Sequence, residues 1–159
     1  MTFEFATANR IIFGRGKVSL LTALAAERAK RLFVLTGGDK SRIAPFITDL
    51  QNQGLDIRDF QISGEPDTDL VIKASALARQ HKADLVIAIG GGSVIDSGKA
   101  IAALLTNHGD LLDYLEVVGS GKALQNPSAP CIAVPTTAGT GSEVTRNAVL
   151  RSKKDAVKV

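Results

Sequence analysis

The sequence predicts an α/β fold, a parallel sheet with helices on both faces. Two observations carry that expectation. Short apolar runs at 32–35, 85–89 and 131–134, with a weaker one at 55–62, alternate with longer stretches whose apolar residues recur at helical spacing. Three of the runs end in loops made of glycine or hydroxyl residues: after Leu35, after Ile89 and after Val134. Ligands of such sheets bind at the C-terminal ends of the strands, so three such loops point to one shared site.

The elements follow in order. Residues 3–6 and 10–13 read as two short strands, a small N-terminal hairpin, broken by Gly14 and Gly16. Leu20, Leu21, Leu24 and Ala25 give helical spacing over 18–29. Leu32-Phe33-Val34-Leu35 is a continuous apolar run, as a strand buried on both faces requires, and it ends in Thr36-Gly37-Gly38. A helix over 43–53 is stopped by Gly54. Asp67 or Thr68 can cap the amides of a helix that runs to about His81. The clearest strand is 85–89, and Gly90-Gly91-Gly92-Ser93 turns it into a small-residue helix ending at Thr106. A short helical piece at 111–115 leads into a polar loop over 119–130. Strand 131–134 follows, then a loop of small residues, and residues 148–159 form a closing hairpin.

Composition excludes several function classes. The chain has 159 residues, 45% of them hydrophobic and 22% charged, an ordinary globular balance that rules out a disordered chain. No apolar stretch approaches the length of a membrane span, and residues 1–10 carry no signal-peptide pattern. The lone Cys131 excludes an internal disulfide and fits a reducing, cytoplasmic setting. A net charge of +3 and 4% aromatic residues make a nucleic-acid partner unexpected. His81 and His108 read as surface residues, and no metal-ligand spacing is present.

Two loops carry chemistry. At Gly90-Gly91-Gly92-Ser93 a helix start presents free amides and partial positive charge, glycine lets a phosphate approach the backbone, and Ser93 adds a hydroxyl. Pro135-Thr136-Thr137-Ala138-Gly139-Thr140-Gly141-Ser142 offers four hydroxyls and no bulky side chain, a surface able to lie against a ligand. Residues 92–99 miss the P-loop pattern, which needs glycine at Ser93 and a hydroxyl at Ala100. Gly14 to Ser19 misses the dinucleotide fingerprint at its last glycine. Asp96 either holds a neighbouring loop or touches cofactor or substrate, and both readings stand.

The runs 90–100 (Gly-Gly-Gly-Ser-Val-Ile-Asp-Ser-Gly-Lys-Ala) and 135–145 (Pro-Thr-Thr-Ala-Gly-Thr-Gly-Ser-Glu-Val-Thr), with 10–16 (Arg-Ile-Ile-Phe-Gly-Arg-Gly), resemble the iron-containing alcohol dehydrogenase family. The resemblance implies a Rossmann-like, dehydroquinate synthase-like N-terminal domain over 1–159 that binds NAD or NADP. It implies a separate helical C-terminal domain whose Asp and His residues hold Fe2+ or Zn2+, absent from this chain. It places pyrophosphate on Gly91, Gly92 and Ser93, and Thr136, Thr137 and Thr140 along the cofactor. Lys158 matches a lysine that approaches the cofactor ribose. Gly37 stands where many NAD-using members have Asp, with Asp39 two residues on, so NAD and NADP both stay open, and Lys40, Ser41 and Arg42 can help bind a 2′-phosphate. Glu65 stands where related sequences often have Asn.

The activity implied is hydride transfer between NAD(P) and a small-molecule alcohol or aldehyde, in a cytoplasmic enzyme, a candidate homodimer, without membrane or nucleic-acid partners. Alternatives are a maleylacetate reductase-like or glycerol dehydrogenase-like oxidoreductase domain, or a non-catalytic, truncated nucleotide-binding module. No catalytic acid or base is named by these residues.

Overall fold

A computed structural model describes residues 2–3, 6–39, 41 and 43–159. Its main sheet has four parallel strands, β1 (Arg31–Thr36), β2 (Asp56–Gln61), β3 (Leu85–Gly90) and β4 (Cys131–Pro135), in the order β2-β1-β3-β4. The helices are α1 (Leu21–Ala26), which continues a 3₁₀ turn at Lys17–Leu20, α2 (Ala44–Asn52), α3 (Thr68–Gln80), α4 (Gly92–Thr106) and the one-turn α5 (Leu111–Tyr114). Strands β5 (Arg151–Ser152) and β6 (Val157–Lys158) pair antiparallel as the closing hairpin.

Alternation along the strands divides the core. Phe33, Leu35, Val86 and Ala88 pack on one face against Val71, Ala74 and Ala78 of α3 and Ile95 and Ile101 of α4. Leu32, Val34, Leu85, Ile87 and Ile89 pack on the other against Leu21 and Ala25 of α1 and Leu50 of α2. Strands buried on both faces have no polar face to show, which is why they read as continuous apolar runs. The edge strand β2 is half exposed and keeps Arg58 and Asp59.

Chain direction reverses between β1 and β3. From β1 the chain moves outward to β2, then crosses back to β3 and on to β4. The C-terminal ends of β1 and β3 therefore flank the switch point where open α/β sheets bind ligands.

Glycine sets the depth of α4 on the sheet. A Cβ built on Gly98 would stand 2.7 Å from Ala88 Cβ and 3.5 Å from Leu35 Cδ1, so only glycine lets α4 lie this close to β3. Gly98→Val is expected to lower the unfolding free energy by about 3 kcal/mol through overpacking, read by urea denaturation. A wild-type midpoint would show that α4 does not depend on this contact.

The expected N-terminal hairpin is not present among the described residues. Residues 10–13 contain no strand, and Glu4 and Phe5 lie outside the described residues. Ile11 and Phe13 are 61% and 96% exposed, so the apolar residues that suggested strands meet no core. Instead Thr7 Oγ1 donates to Val144 O at 2.8 Å, laying this segment beside the loop after β4. No helix among the described residues is long and apolar enough to cross a membrane.

Candidate functional site

Beyond the C-terminal ends of β3 and β4 lies a cavity of about 320 Å³. Its lining comes from four places in the chain: Gly92, Ser93 and Asp96 of α4; Thr140 and Ser142 after β4; Glu65 and Pro66 before α3; and Val149, Leu150, Arg151 and Lys158 of the closing hairpin.

The start of α4 opens into the cavity. Asp67 caps α3 by accepting from Leu70 N at 2.8 Å, and Asp110 caps α5 through Leu112 N. The 15-residue α4, like α1 and α2, has no side-chain cap, and of these three only α4 starts on the cavity. Uncapped amides at a helix start need another partner and favour an anion. The surrounding backbone leaves room for one. A Cβ on Gly92 would meet Ser142 Oγ at 3.2 Å and Thr140 Cβ at 3.4 Å, and a Cβ on Gly91 would meet Thr137 Oγ1 at 3.1 Å. The loop after β4 is fixed beside these glycines by Thr136 N donating to Gly90 O at 2.9 Å.

Asp96 both touches the neighbouring loop and borders the cavity. It accepts from Ser142 Oγ at 3.4 Å and pairs with Lys99 Nζ at 2.8 Å. Lys99 also donates to Thr145 O at 3.3 Å, to Thr145 Oγ1 at 3.2 Å and to Asn147 O. One buried ion pair therefore ties α4 to the loop over 142–147, while Asp96 still borders the cavity.

The hairpin is docked onto the segment before α3. Arg151 N donates to Pro66 O at 2.8 Å, and Lys153 Nζ lies 2.5 Å from Asp67 Oδ2. Burial pushes the Asp67 carboxyl up, but the Lys153 ammonium and the amides of Leu70 and Asp69 outweigh it and hold it below the ordinary range. Lys158 Nζ donates to Glu65 Oε1 at 2.7 Å, and Arg151 Nη1 stands 3.9 Å from Glu65 Oε2. The Lys158 hydrogen bond, then its charge, holds the Glu65 carboxyl below its usual value.

Of the residues singled out in the sequence, Gly92, Ser93, Asp96, Thr140 and Lys158 meet around the cavity, with Gly91, Thr136 and Thr137 beside it. Gly37 and Asp39 do not line it. They occupy the end of β1, where Gly37 N donates to Ile89 O at 3.4 Å and Asp39 Oδ1 accepts from Ser41 N at 2.9 Å. Lys40 and Arg42 lie outside the described residues. Sequence reasoning counted Ser142 among the four hydroxyls of its loop, and it missed Lys99 as the loop tether and Arg151 as the second wall cation. Lys99 carried a signal: it follows Asp96 by three residues on one helix face.

Fold and site together define a doubly wound α/β domain with an amide- and hydroxyl-lined crevice beyond the C-terminal ends of β3 and β4. The chain belongs to the iron-containing alcohol dehydrogenase family, whose model matches residues 8–159. It is 37% identical to 1,3-propanediol dehydrogenase of Klebsiella pneumoniae over 98% of this chain and 41% of that protein. Alcohol dehydrogenase from Oenococcus oeni superposes with a TM-score of 0.87 at 29% identity, over 99% of this chain and 42% of the other. Sulfoacetaldehyde reductase from Bifidobacterium kashiwanohense, solved in complex with NAD+, gives 0.81 at 30% identity, over 100% and 42%. The chain thus spans about two fifths of the length of these relatives.

Proposed function

We propose that residues 1–159 form the cofactor-binding domain of a metal-dependent alcohol dehydrogenase. The observation that carries this reading is the uncapped start of α4, opening into a cavity walled by hydroxyls and two cations. A dinucleotide fits this donor set. Its pyrophosphate would take the amides of Gly92 and Ser93 and the Ser93 hydroxyl, at a floor where a Cβ on Gly92 would crowd Thr140 and Ser142. Thr136, Thr137 and Thr140 would flank it, and Lys158 would reach the ribose. When bound, NAD or NADP supplies the hydride chemistry, and this domain binds, orients and shields it.

Among the described residues, no group of three or more His, Cys, Asp or Glu side chains could hold a metal ion. These residues do not fit the iron of the family's name, and their part in the reaction is confined to the cofactor. The small alcohol or aldehyde substrate is carried over from relatives such as 1,3-propanediol dehydrogenase. A cytoplasmic location and a homodimer belong to the same reading.

Parallel calorimetric titration with NADH and NADPH tests it. Saturable binding of at least one is expected, and the tighter of the two settles which cofactor the turn at Gly37 and Asp39 admits. Heat of dilution alone from both would overturn the reading.

A further inference from the structure

The closing hairpin lays two cations along one wall of the cavity, and a single carboxylate faces both. Glu65 lies 2.7 Å from Lys158 Nζ and 3.9 Å from Arg151 Nη1, and all three residues line the cavity that Gly92 and Ser93 open into. Fold stability gives little reason for this carboxylate. Its side chain is 48% exposed and that of Lys158 is 64% exposed, and exposed ion pairs contribute little. The hairpin is already attached through Arg151 N to Pro66 O, through Lys153 to Asp67, and through the backbone pair of Leu150 and Val159. The other acid of the lining, Asp96, has a cation of its own in Lys99 at 2.8 Å. Glu65 thus places an exposed negative charge beside helix amides, hydroxyls and two cations that favour an anion.

We propose that Glu65 is an affinity-setting residue of the cavity: by sharing Lys158 and Arg151 it weakens the hold on an anionic ligand and so permits its exchange. The proposal rests on the dinucleotide reading of the cavity and adds the residue that limits how tightly the dinucleotide is held. Lys158 must divide its charge between Glu65 and the ligand, and the carboxylate also repels phosphate directly. Both effects act through partly solvated space, so both weaken as salt is added.

The test is the affinity of the complete protein and of Glu65→Gln for two probes, NADH and inorganic pyrophosphate, at low salt and at about 0.5 M salt, where charges are screened beyond a few ångströms. Glu65→Gln keeps the side-chain shape and removes its charge. At low salt it is expected to bind both probes about three- to tenfold tighter, with slower NADH dissociation by stopped flow, and the gain shrinks at high salt. Lys158→Gln probes the same balance from the other side and is expected to weaken both probes about three- to tenfold. It keeps the test decisive should the Glu65 variant fail to fold. Unchanged or weaker binding by Glu65→Gln overturns the proposal, as does unchanged binding by Lys158→Gln. If pyrophosphate binds and NADH does not, the dinucleotide reading falls while the role of Glu65 is still decided on pyrophosphate. If neither probe binds the wild-type protein, both fall.

Discussion

Gly92→Val is expected to abolish useful cofactor binding while leaving the fold in place. Gly92 opens α4, a position where valine meets no backbone obstacle, since its φ lies outside the left-handed region. The obstacle is lateral. The first added carbon would already stand 3.2 Å from Ser142 Oγ and 3.4 Å from Thr140, and the two methyls beyond it must enter the cavity or push that loop aside. Either outcome separates a phosphate from the helix amides that would bind it. Losing such charge-assisted bonds costs about 3 kcal/mol, which corresponds to roughly a hundredfold in affinity. NADH titration of the variant should show that loss, with a thermal midpoint within about 5 °C of wild type. Gly92→Ala should fall between the two. Wild-type affinity in the valine variant would move the ligand away from the start of α4 and take the cofactor reading of this cavity with it.

That expectation rests on features of unequal legibility. The strands were readable because burial on both faces leaves nothing but apolar residues at 32–35 and 85–89, and no helix of that length would be apolar all round. Gly54, at φ 76, marked the end of α2 because only glycine takes that conformation without strain. α3 ends without such a mark: Lys82 takes φ 54 in its place, a conformation that sequence does not announce. The N-terminal segment misled because Ile11-Ile12-Phe13 is a short apolar run like a strand's, and the pattern is silent on whether a partner strand exists. The site divides the same way. Local sequence showed both glycine and threonine loops, since their chemistry lies in consecutive residues. Of the hairpin wall, Lys158 came only from the family resemblance and Arg151 was hidden, because both reach the cavity through tertiary docking onto residues 65–67. Asp96 stayed ambiguous for the same reason, its partner Ser142 being 46 residues distant.

Lys99→Met should cost more than any other single substitution of a charged residue near the cavity. The Lys99 side chain is only 17% exposed, and its ammonium holds the Asp96 carboxylate on one side and carbonyls of Thr145 and Asn147 on the other. Methionine preserves much of the apolar stem and removes the charge, so packing is not the variable. What remains is an Asp96 side chain, 11% exposed, without its cation, and a loop over 145–147 without its tether. Breaking a buried pair from one side destabilises by roughly 3–5 kcal/mol, and the residual solvent access here lowers that to about 2–4 kcal/mol. Urea denaturation measures the loss, and limited proteolysis should show faster cleavage within 139–147. NADH affinity should fall with it, because Thr140 and Ser142 belong to the loosened loop. The double variant Asp96→Asn/Lys99→Met separates charge from tether: with the stranded carboxylate gone, it should recover part of the stability lost in Lys99→Met, while the loop stays susceptible to protease. Equal stability of the single and double variants would mean that the uncompensated charge on Asp96 contributes nothing to the loss and that Lys99 acts through its carbonyl bonds alone.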